Sequence, residues 1–185
     1  MSARHMFADE FIERHDLEQY FWSEATVLGL QKALGYHEDV CCLTTPSLAH
    51  AWHEDGREEV LLDLDERFDY LPRFRRFDLR SPEASENENF RVVVVDPPFF
   101  YIPMRQIRDA VLTVTRGRTD LPLLIGFLRR EEASLMDAFK DFGLRRTKFN
   151  LEYATVKPNK WANYALYSNI DLPGIKRLTE KHMRK

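Results

Sequence analysis

Val92-Val93-Val94-Val95-Asp96-Pro97-Pro98-Phe99 is the most telling stretch of this chain. Four β-branched residues in a row, without polar alternation, belong to a strand covered on both faces, as in a parallel sheet. The run stops at Asp96, where two prolines prevent the strand from continuing. Asp96 precedes a proline, so its backbone is held extended. Pro97 and Pro98 have fixed φ and no amide hydrogen. The product is a stiff corner whose carboxylate and carbonyl groups can accept two hydrogen bonds from one –NH2 group. Such a grip aims the nitrogen lone pair at an electrophile. Phe99 adds a flat face for a planar base, or a wall for an alkyl chain. The plainer reading of the same tetrapeptide is an ordinary strand-ending turn.

The flanking segments supply the rest of a sheet. Upstream, Val40-Cys41-Cys42-Leu43, Val60-Leu61-Leu62 and Phe74 to Leu79 read as three strands. Ser23 caps a helix in which Val27, Leu30 and Leu34 recur at helical spacing before Gly35. Thr45 and Pro46 open a short helix to about His53. Ser81 to Asn89 is a polar loop. Downstream, Pro103 opens a helix whose buried stripe is Met104, Ile107, Val111 and Val114. Leu121 to Leu128 is a further strand, and Leu135, Phe139 and Phe142 line a helix ending near Gly143. Leu144 to Val156 and Trp161 to Ser168 read as a closing hairpin that turns at Lys157-Pro158-Asn159. Alternating strands and helices predict an α/β fold, an open, mostly parallel sheet with helices on both faces and a C-terminal antiparallel hairpin. The order resembles that of class I, Rossmann-like methyltransferases that use S-adenosylmethionine (SAM), and another nucleotide-binding fold would share most of it.

The 185 residues fit one domain with a normal core. Residues up to about 16 read as an N-terminal extension, 17–170 as the core and 171–185 as a basic tail. His5-Met6 has the look of a cloning remnant, and Met1 to Met6 is given no structural weight. No run of about 18 apolar residues exists, so no membrane span is expected, and Met1 to Asp16 lacks a signal-peptide core. The adjacent Cys41 and Cys42 read as buried thiols of a cytosolic or nuclear protein. On a strand they point to opposite faces and cannot share a ligand. The formal charge is −3, with 27 basic and 30 acidic residues, so the basic excess that advertises a nucleic-acid binder is missing overall. The arginines at 73, 75, 76 and 80, and at 105, 108, 116 and 118, read as solvated charge. His50 and His53 lack a third ligand at a recognisable spacing and read as surface histidines, with no metal site. Gly126 and Gly143 are isolated and read as structural.

In open α/β sheets, ligands sit at the carboxyl ends of the strands. Here those ends carry Thr44-Thr45-Pro46-Ser47, Asp63-Leu64-Asp65 and the Asp96 corner. Asp63 or Asp65 is placed to accept from ribose hydroxyls, and Asp78, after Phe77, to accept from an adenine amino group. Surface charge near a turn is the competing reading for each. Methyl transfer from a sulfonium needs no metal and no covalent nucleophile. Holding the reacting atoms at roughly 3–3.5 Å supplies several kcal/mol of barrier reduction.

Several segments, in order, resemble the N6-adenine-methyltransferase-like family. They are Gln19-Tyr20-Phe21-Trp22-Ser23 with Thr26, Cys42 to Ser47, Leu61 to Phe68, Phe77-Asp78, Asp96 to Phe99, Asn159-Lys160-Trp161, and Tyr164 to Tyr167. That family includes lysine methyltransferases of elongation factor 1-alpha and zinc-knuckle ribosomal-RNA adenosine methyltransferases. The resemblance covers about Gln19 to Ile170. It implies SAM as donor, with Thr44, Thr45, Pro46, Asp63, Asp65, Phe77 and Asp78 on the cofactor side. Asp96, Pro97, Pro98 and Phe99 surround the acceptor amine. Tyr20, Phe21, Trp22, Phe100, Tyr101 and Trp161 fall on the substrate side. Trp161 stands where lysine-modifying relatives tend to have Phe, and the cysteine-rich modules of the RNA-modifying relatives are missing. Two acceptors therefore stay open: adenine N6 in RNA or DNA, narrowly preferred, and a protein lysine. A non-catalytic subunit of the same fold is the third reading.

Overall fold

The computed structural model describes residues 5–7 and 10–184. The four valines form β4 (Val92–Val95), and each is almost wholly buried. The strand lies mid-sheet, parallel to β1 (Val40–Leu43) on one side and to β5 (Leu123–Leu128) on the other. Next to β1 come β2 (Val60–Asp63) and then β3 (Phe74–Arg76), both parallel. Beyond β5 lie β7 (Tyr164–Ser168) and, outermost, β6 (Arg145–Arg146), both in antiparallel pairing. The seven-stranded order is β3-β2-β1-β4-β5-β7-β6. The expected mostly parallel sheet with an antiparallel end is thus the observed one. The chain runs outward in opposite directions from β1 and β4, so a crevice opens at the carboxyl ends of that central pair.

Each strand has two apolar faces because helices cover both sides. On one side α1 (Glu24–Ala33) and α2 (Pro46–Glu54) bury Val27, Leu30, Leu48 and Trp52 against Cys42, Leu61 and Val94. On the other, α3 (Met104–Val114) and α4 (Glu132–Ala138) bury Ile107, Val111 and Leu135 against Cys41, Leu62 and Val93. Cys41 and Cys42 do point to opposite faces. The Ser23 hydroxyl caps α1 by accepting from the Thr26 amide. Gly143, at φ +71, ends the helical turn Lys140–Phe142 in the left-handed conformation that favours glycine.

Five expectations need correction. The third strand stops at Arg76, three residues short of Leu79. The closing antiparallel pair is present but shorter than expected: Arg145–Arg146 pairs with β7, the Thr147 amide adds a bond to the Leu166 carbonyl, and Pro158–Asn163 is a helical turn. Residues 148–156 hydrogen-bond elsewhere. Ser23 donates its amide to the Glu152 carbonyl and Ala154 donates its amide to that of Phe21, so the segment pairs with the N-terminal strap instead of with β7. The N-terminal extension belongs to the core: Phe7 is buried among Phe11, Phe21 and Phe68, and His5 packs on Phe7 and Phe21. The basic tail is docked as well, with Leu172 and Ile175 buried in the core and the Leu178 amide bonded to the Arg146 carbonyl. It ends in α5 (Glu180–Met183), capped by Thr179. Finally, His50 is not a surface residue. It is 7% exposed, its Nδ1 lies 2.6 Å from the Tyr70 hydroxyl, and burial pushes its pKa down. The cause is that α2 is buried from Pro46 through Trp52, covered by the N-terminal aromatics as well as by the sheet.

Candidate active site

The crevice above β1 and β4 is a cavity of about 280 Å³. The end of β1 contributes Thr44, Thr45, Pro46 and Ser47, and the end of β2 contributes Asp63 and Leu64. Phe77, Asp78 and Leu79 follow β3, and Asp96 to Phe99 with Tyr101 follow β4. The N-terminal strap closes it from above with residues 16–22. Among the described residues, Asp16, Glu18, Asp63, Asp78 and Asp96 face one cation, Arg80, around this cavity. Such a wall favours a positively charged guest.

Thr44 stands where a glycine would cost least, at φ +56. Its hydroxyl lies 2.9 Å from the Asp96 carbonyl and 2.7 Å from that of Leu43. A strained β-branched residue thereby ties the end of β1 to the end of β4. Asp96 opens partly to the cleft and is otherwise packed in protein. The Tyr153 hydroxyl donates to its Oδ1 at 2.7 Å. Gly126, on β5, makes room for that oxygen: a Cβ there would sit 2.7 Å from it. Burial pushes the Asp96 carboxyl well above the usual carboxylate range, and the Tyr153 hydrogen bond only partly offsets this. Tyr153 itself is 1% exposed, and burial together with Asp96 raises its hydroxyl too. The Trp22 indole N–H lies close enough to oppose that rise, yet makes no hydrogen bond of good geometry. Tyr164 backs this group, its ring 4.9 Å from Tyr153 and 5.5 Å from Phe99. Among the described residues, the Pro97 carbonyl accepts no hydrogen bond.

The two acids after β2 have different tasks. Asp63 lines the cleft, is 7% exposed, and burial pushes its carboxyl up to about 7. Asp65 does not reach the cleft. Its carboxylate accepts from the Arg67 guanidinium at 2.7 Å and from Gln19 Nε2 at 3.0 Å. Burial alone would raise it, but these bonds outweigh burial and hold it below the usual range. The reason is local: Asp65 caps the helical turn Glu66–Phe68, which turns its side chain toward Arg67.

Of the residues read from sequence, the structure gathers Asp96, Pro97, Pro98, Phe99, Thr44, Thr45, Pro46, Asp63, Phe77, Asp78, Tyr20, Phe21, Trp22 and Tyr101 around one cavity. Asp65, Phe100 and Trp161 lie outside it. Phe100 is 67% exposed, with the Arg130 guanidinium 5.4 Å from its ring. Trp161 sits on a helical turn, and its Nε1 donates to the carbonyls of Tyr153 and Val156. It therefore braces the segment carrying Tyr153. Sequence reasoning missed Tyr153 and Glu18, and it gave Gly126 no contact with the site. Each acts across a long sequence separation, and none lies in a motif with a chemical spacing.

A family model described as "Probable N6-adenine methyltransferase" matches residues 13–171. The chain belongs to this family. Its members are methyltransferases by description, its fold is that of class I enzymes, and SAM is its cofactor. No curated protein matches the sequence. Among solved structures, the family's fold here is similar to Thermoplasma acidophilum 1320, at 14% identity over 88% of this chain and 92% of that one, TM-score 0.52. It is similar to the "putative RNA methyltransferase PH1948" from Pyrococcus horikoshii, at 16% identity over 91% and 90%, TM-score 0.54. It is also similar to a geranyl diphosphate C-methyltransferase from Streptomyces coelicolor, at 10% identity over 89% and 82%, TM-score 0.50. These likenesses concern the fold alone.

The residues present fit the cofactor. Thr45 Oγ1 and Ser47 Oγ are buried beside the cleft at the start of α2 and lack hydrogen-bond partners, the Cys42 thiol approaching Thr45 without bonding geometry. Unpaired buried hydroxyls at a helix N-terminus suit a carboxylate. The acidic lining suits a sulfonium. No group of three or more metal-ligating side chains occurs among the described residues, and none of their helices is long and apolar enough to cross a membrane.

Proposed function

We propose that this chain transfers the methyl group of SAM to the exocyclic N6 amino nitrogen of an adenine in RNA or DNA. One observation carries the reading: Asp96 is fixed by Tyr153 on one oxygen, beside an unpartnered Pro97 carbonyl and the Phe99 ring. The cofactor, when bound, supplies a methyl group already activated on sulfur. Asp63 would accept from its ribose hydroxyls, Asp78 beside Phe77 would accept from its adenine amino group, and Thr45 and Ser47 would meet its carboxylate. The second Asp96 oxygen and the Pro97 carbonyl accept the two N–H bonds of the acceptor amine, which points the lone pair at the methyl carbon. Phe99 stacks on the base. As the nitrogen–carbon bond forms and the carbon–sulfur bond breaks, nitrogen sheds one proton. Asp96, held beside the amine by the Tyr153 hydrogen bond, is the group placed to take it.

Transfer favours a neutral amine, even though the acidic lining favours a cation such as the sulfonium. A lysine, with a reference pKa of about 10.4, must first lose a proton. The ionised acids of the lining hold an ammonium charged instead, and among the described residues no histidine lines the cavity to take its proton. Next to the cavity-lining Phe99, exposed Phe100 has the Arg130 guanidinium 5.4 Å from its ring, and the exposed Tyr101 accepts from Arg80 at its carbonyl; aromatic and cationic groups are what single-stranded nucleic acid uses. The buried, unpaired thiols fit a cytosolic or nuclear setting. A protein lysine is the second reading, because Tyr153, Tyr164 and Phe99 around Asp96 also suit a methylated ammonium. Radiolabelled SAM offered with separated RNA, DNA and protein fractions decides between them. Label in adenine is the expected result, lost in Asp96→Ala. Label in protein moves the assignment to lysine, and absence of SAM binding by calorimetry removes the enzyme reading altogether.

A further inference from the structure

The structure assigns to Glu18 a task in the acceptor corner: we infer that three successive backbone amides there form an anion-binding nest, and that the Glu18 carboxylate fills it as a positioning residue. Pro97 and Pro98 carry no N–H, so the first backbone donors after Asp96 are Phe99, Phe100 and Tyr101. All three point at one side chain. Phe99 donates to Oε2 at 2.8 Å, Phe100 to both oxygens at 3.1 Å, and Tyr101 to Oε1 at 2.6 Å. Convergent successive amides make a concavity for an anion, and hydrogen bonds to an ionised acceptor are the stronger kind. Among the described residues, the other hydrogen bond on the backbone of residues 97–102 is the one the Arg80 guanidinium donates to the Tyr101 carbonyl.

Glu18 is itself held in place. It closes the helical turn His15–Leu17 in the left-handed region, at φ +50, with its amide bonded to the His15 carbonyl. A non-glycine residue in that region stores strain that its surroundings must support. The support comes from its neighbour. Gln19 donates to Asp65 and accepts from Arg67, across the cavity from the corner. Two adjacent residues thus fasten the N-terminal strap to the ends of β2 and β4 at once. The strap is a wall of the site, and the placement of Phe99 depends on a carboxylate about eighty residues upstream. The nest stands on geometry alone, while its effect on turnover rests on the acceptor role proposed for the Asp96 corner.

The test compares the full-length chain with Glu18→Ala, Glu18→Gln and Gln19→Ala, in sodium formate against sodium chloride at equal ionic strength. Formate is the smallest carboxylate that can enter an emptied nest. In Glu18→Ala, hydrogen–deuterium exchange of residues 99–101 should speed up by about tenfold or more, and formate should slow it again. Glu18→Gln keeps one acceptor oxygen, so it should exchange at an intermediate rate with no response to formate, which covers the case in which the alanine variant does not fold. Turnover of Glu18→Ala should fall by about tenfold or more and recover partly in formate, while Gln19→Ala shows no such recovery. Unchanged exchange at 99–101 in both Glu18 variants overturns the inference, as does equal indifference of every variant to formate. If exchange and rescue behave as expected but no fraction is ever methylated, the nest stands and the proposed reaction falls.

Discussion

Gly126→Ala is a one-carbon change that the Asp96 geometry makes severe. The added Cβ would lie 2.7 Å from Asp96 Oδ1 and 3.1 Å from Leu151 Cδ2. To reach an ordinary contact, the carboxyl oxygen must retreat by about 0.7 Å, and a retreat directed away from Tyr153 weakens their bond by lengthening it from 2.7 Å to about 3.4 Å. Overpacking of this kind costs about 1–3 kcal/mol, against a gain of about 0.5–1 kcal/mol from replacing a strand glycine. The expected net loss is therefore ~0.5–2 kcal/mol of stability. A displacement near 1 Å at a reacting group can cost ~100-fold in rate. Turnover should then fall about 10- to 100-fold, or ~1.4–2.7 kcal/mol of barrier. SAM affinity should hold, because Asp63, Asp78 and Ser47 are untouched. The decisive measurement is a double-mutant cycle on stability by denaturant unfolding. In an Asp96→Ala background the oxygen is gone, and Gly126→Ala should be neutral or stabilising. A coupling of about 1–3 kcal/mol is expected. Additive effects, or full turnover in Gly126→Ala, would refute the close-contact argument.

Two further outcomes follow from the same site. Tyr153→Phe leaves Asp96 Oδ1 without its donor and should cost about 1–3 kcal/mol of stability and lower kcat, with SAM affinity unchanged by calorimetry. Unaltered kcat would remove Tyr153 from the acceptor corner. Asp63 sets a pH dependence. Its folded carboxyl titrates at about 7, against about 3.9 in an unfolded chain. The folded state binds this proton more tightly, so the group's contribution to stability is largest at low pH. It declines as pH rises from about 4 to 7 and is flat above. SAM affinity should run the other way, rising from pH 6 to 8 as the better acceptor ionises. Asp63→Asn should flatten both trends, and a wild-type slope retained in that variant places the titration elsewhere.

The sheet and the corner were legible in the residues themselves. An unbroken valine run has one comfortable environment, between two layers of helices, and a proline pair can end it in few ways. Alternating apolar runs and helical stripes then gave the succession of strands and helices, and strand ends located most of the cavity. Tertiary structure decided how the corner is held. Tyr153, Gly126 and Glu18 reach Asp96 to Tyr101 from strands and loops tens of residues away, through hydrogen bonds and close packing that leave no periodic trace. It also separated Asp63 from Asp65, two acids equivalent in sequence, because a helical turn swings one toward Arg67 and leaves the other in the cleft. Periodicity reports which face of an element is dry, whereas the partner of a buried polar group is known only when the chain has folded onto it.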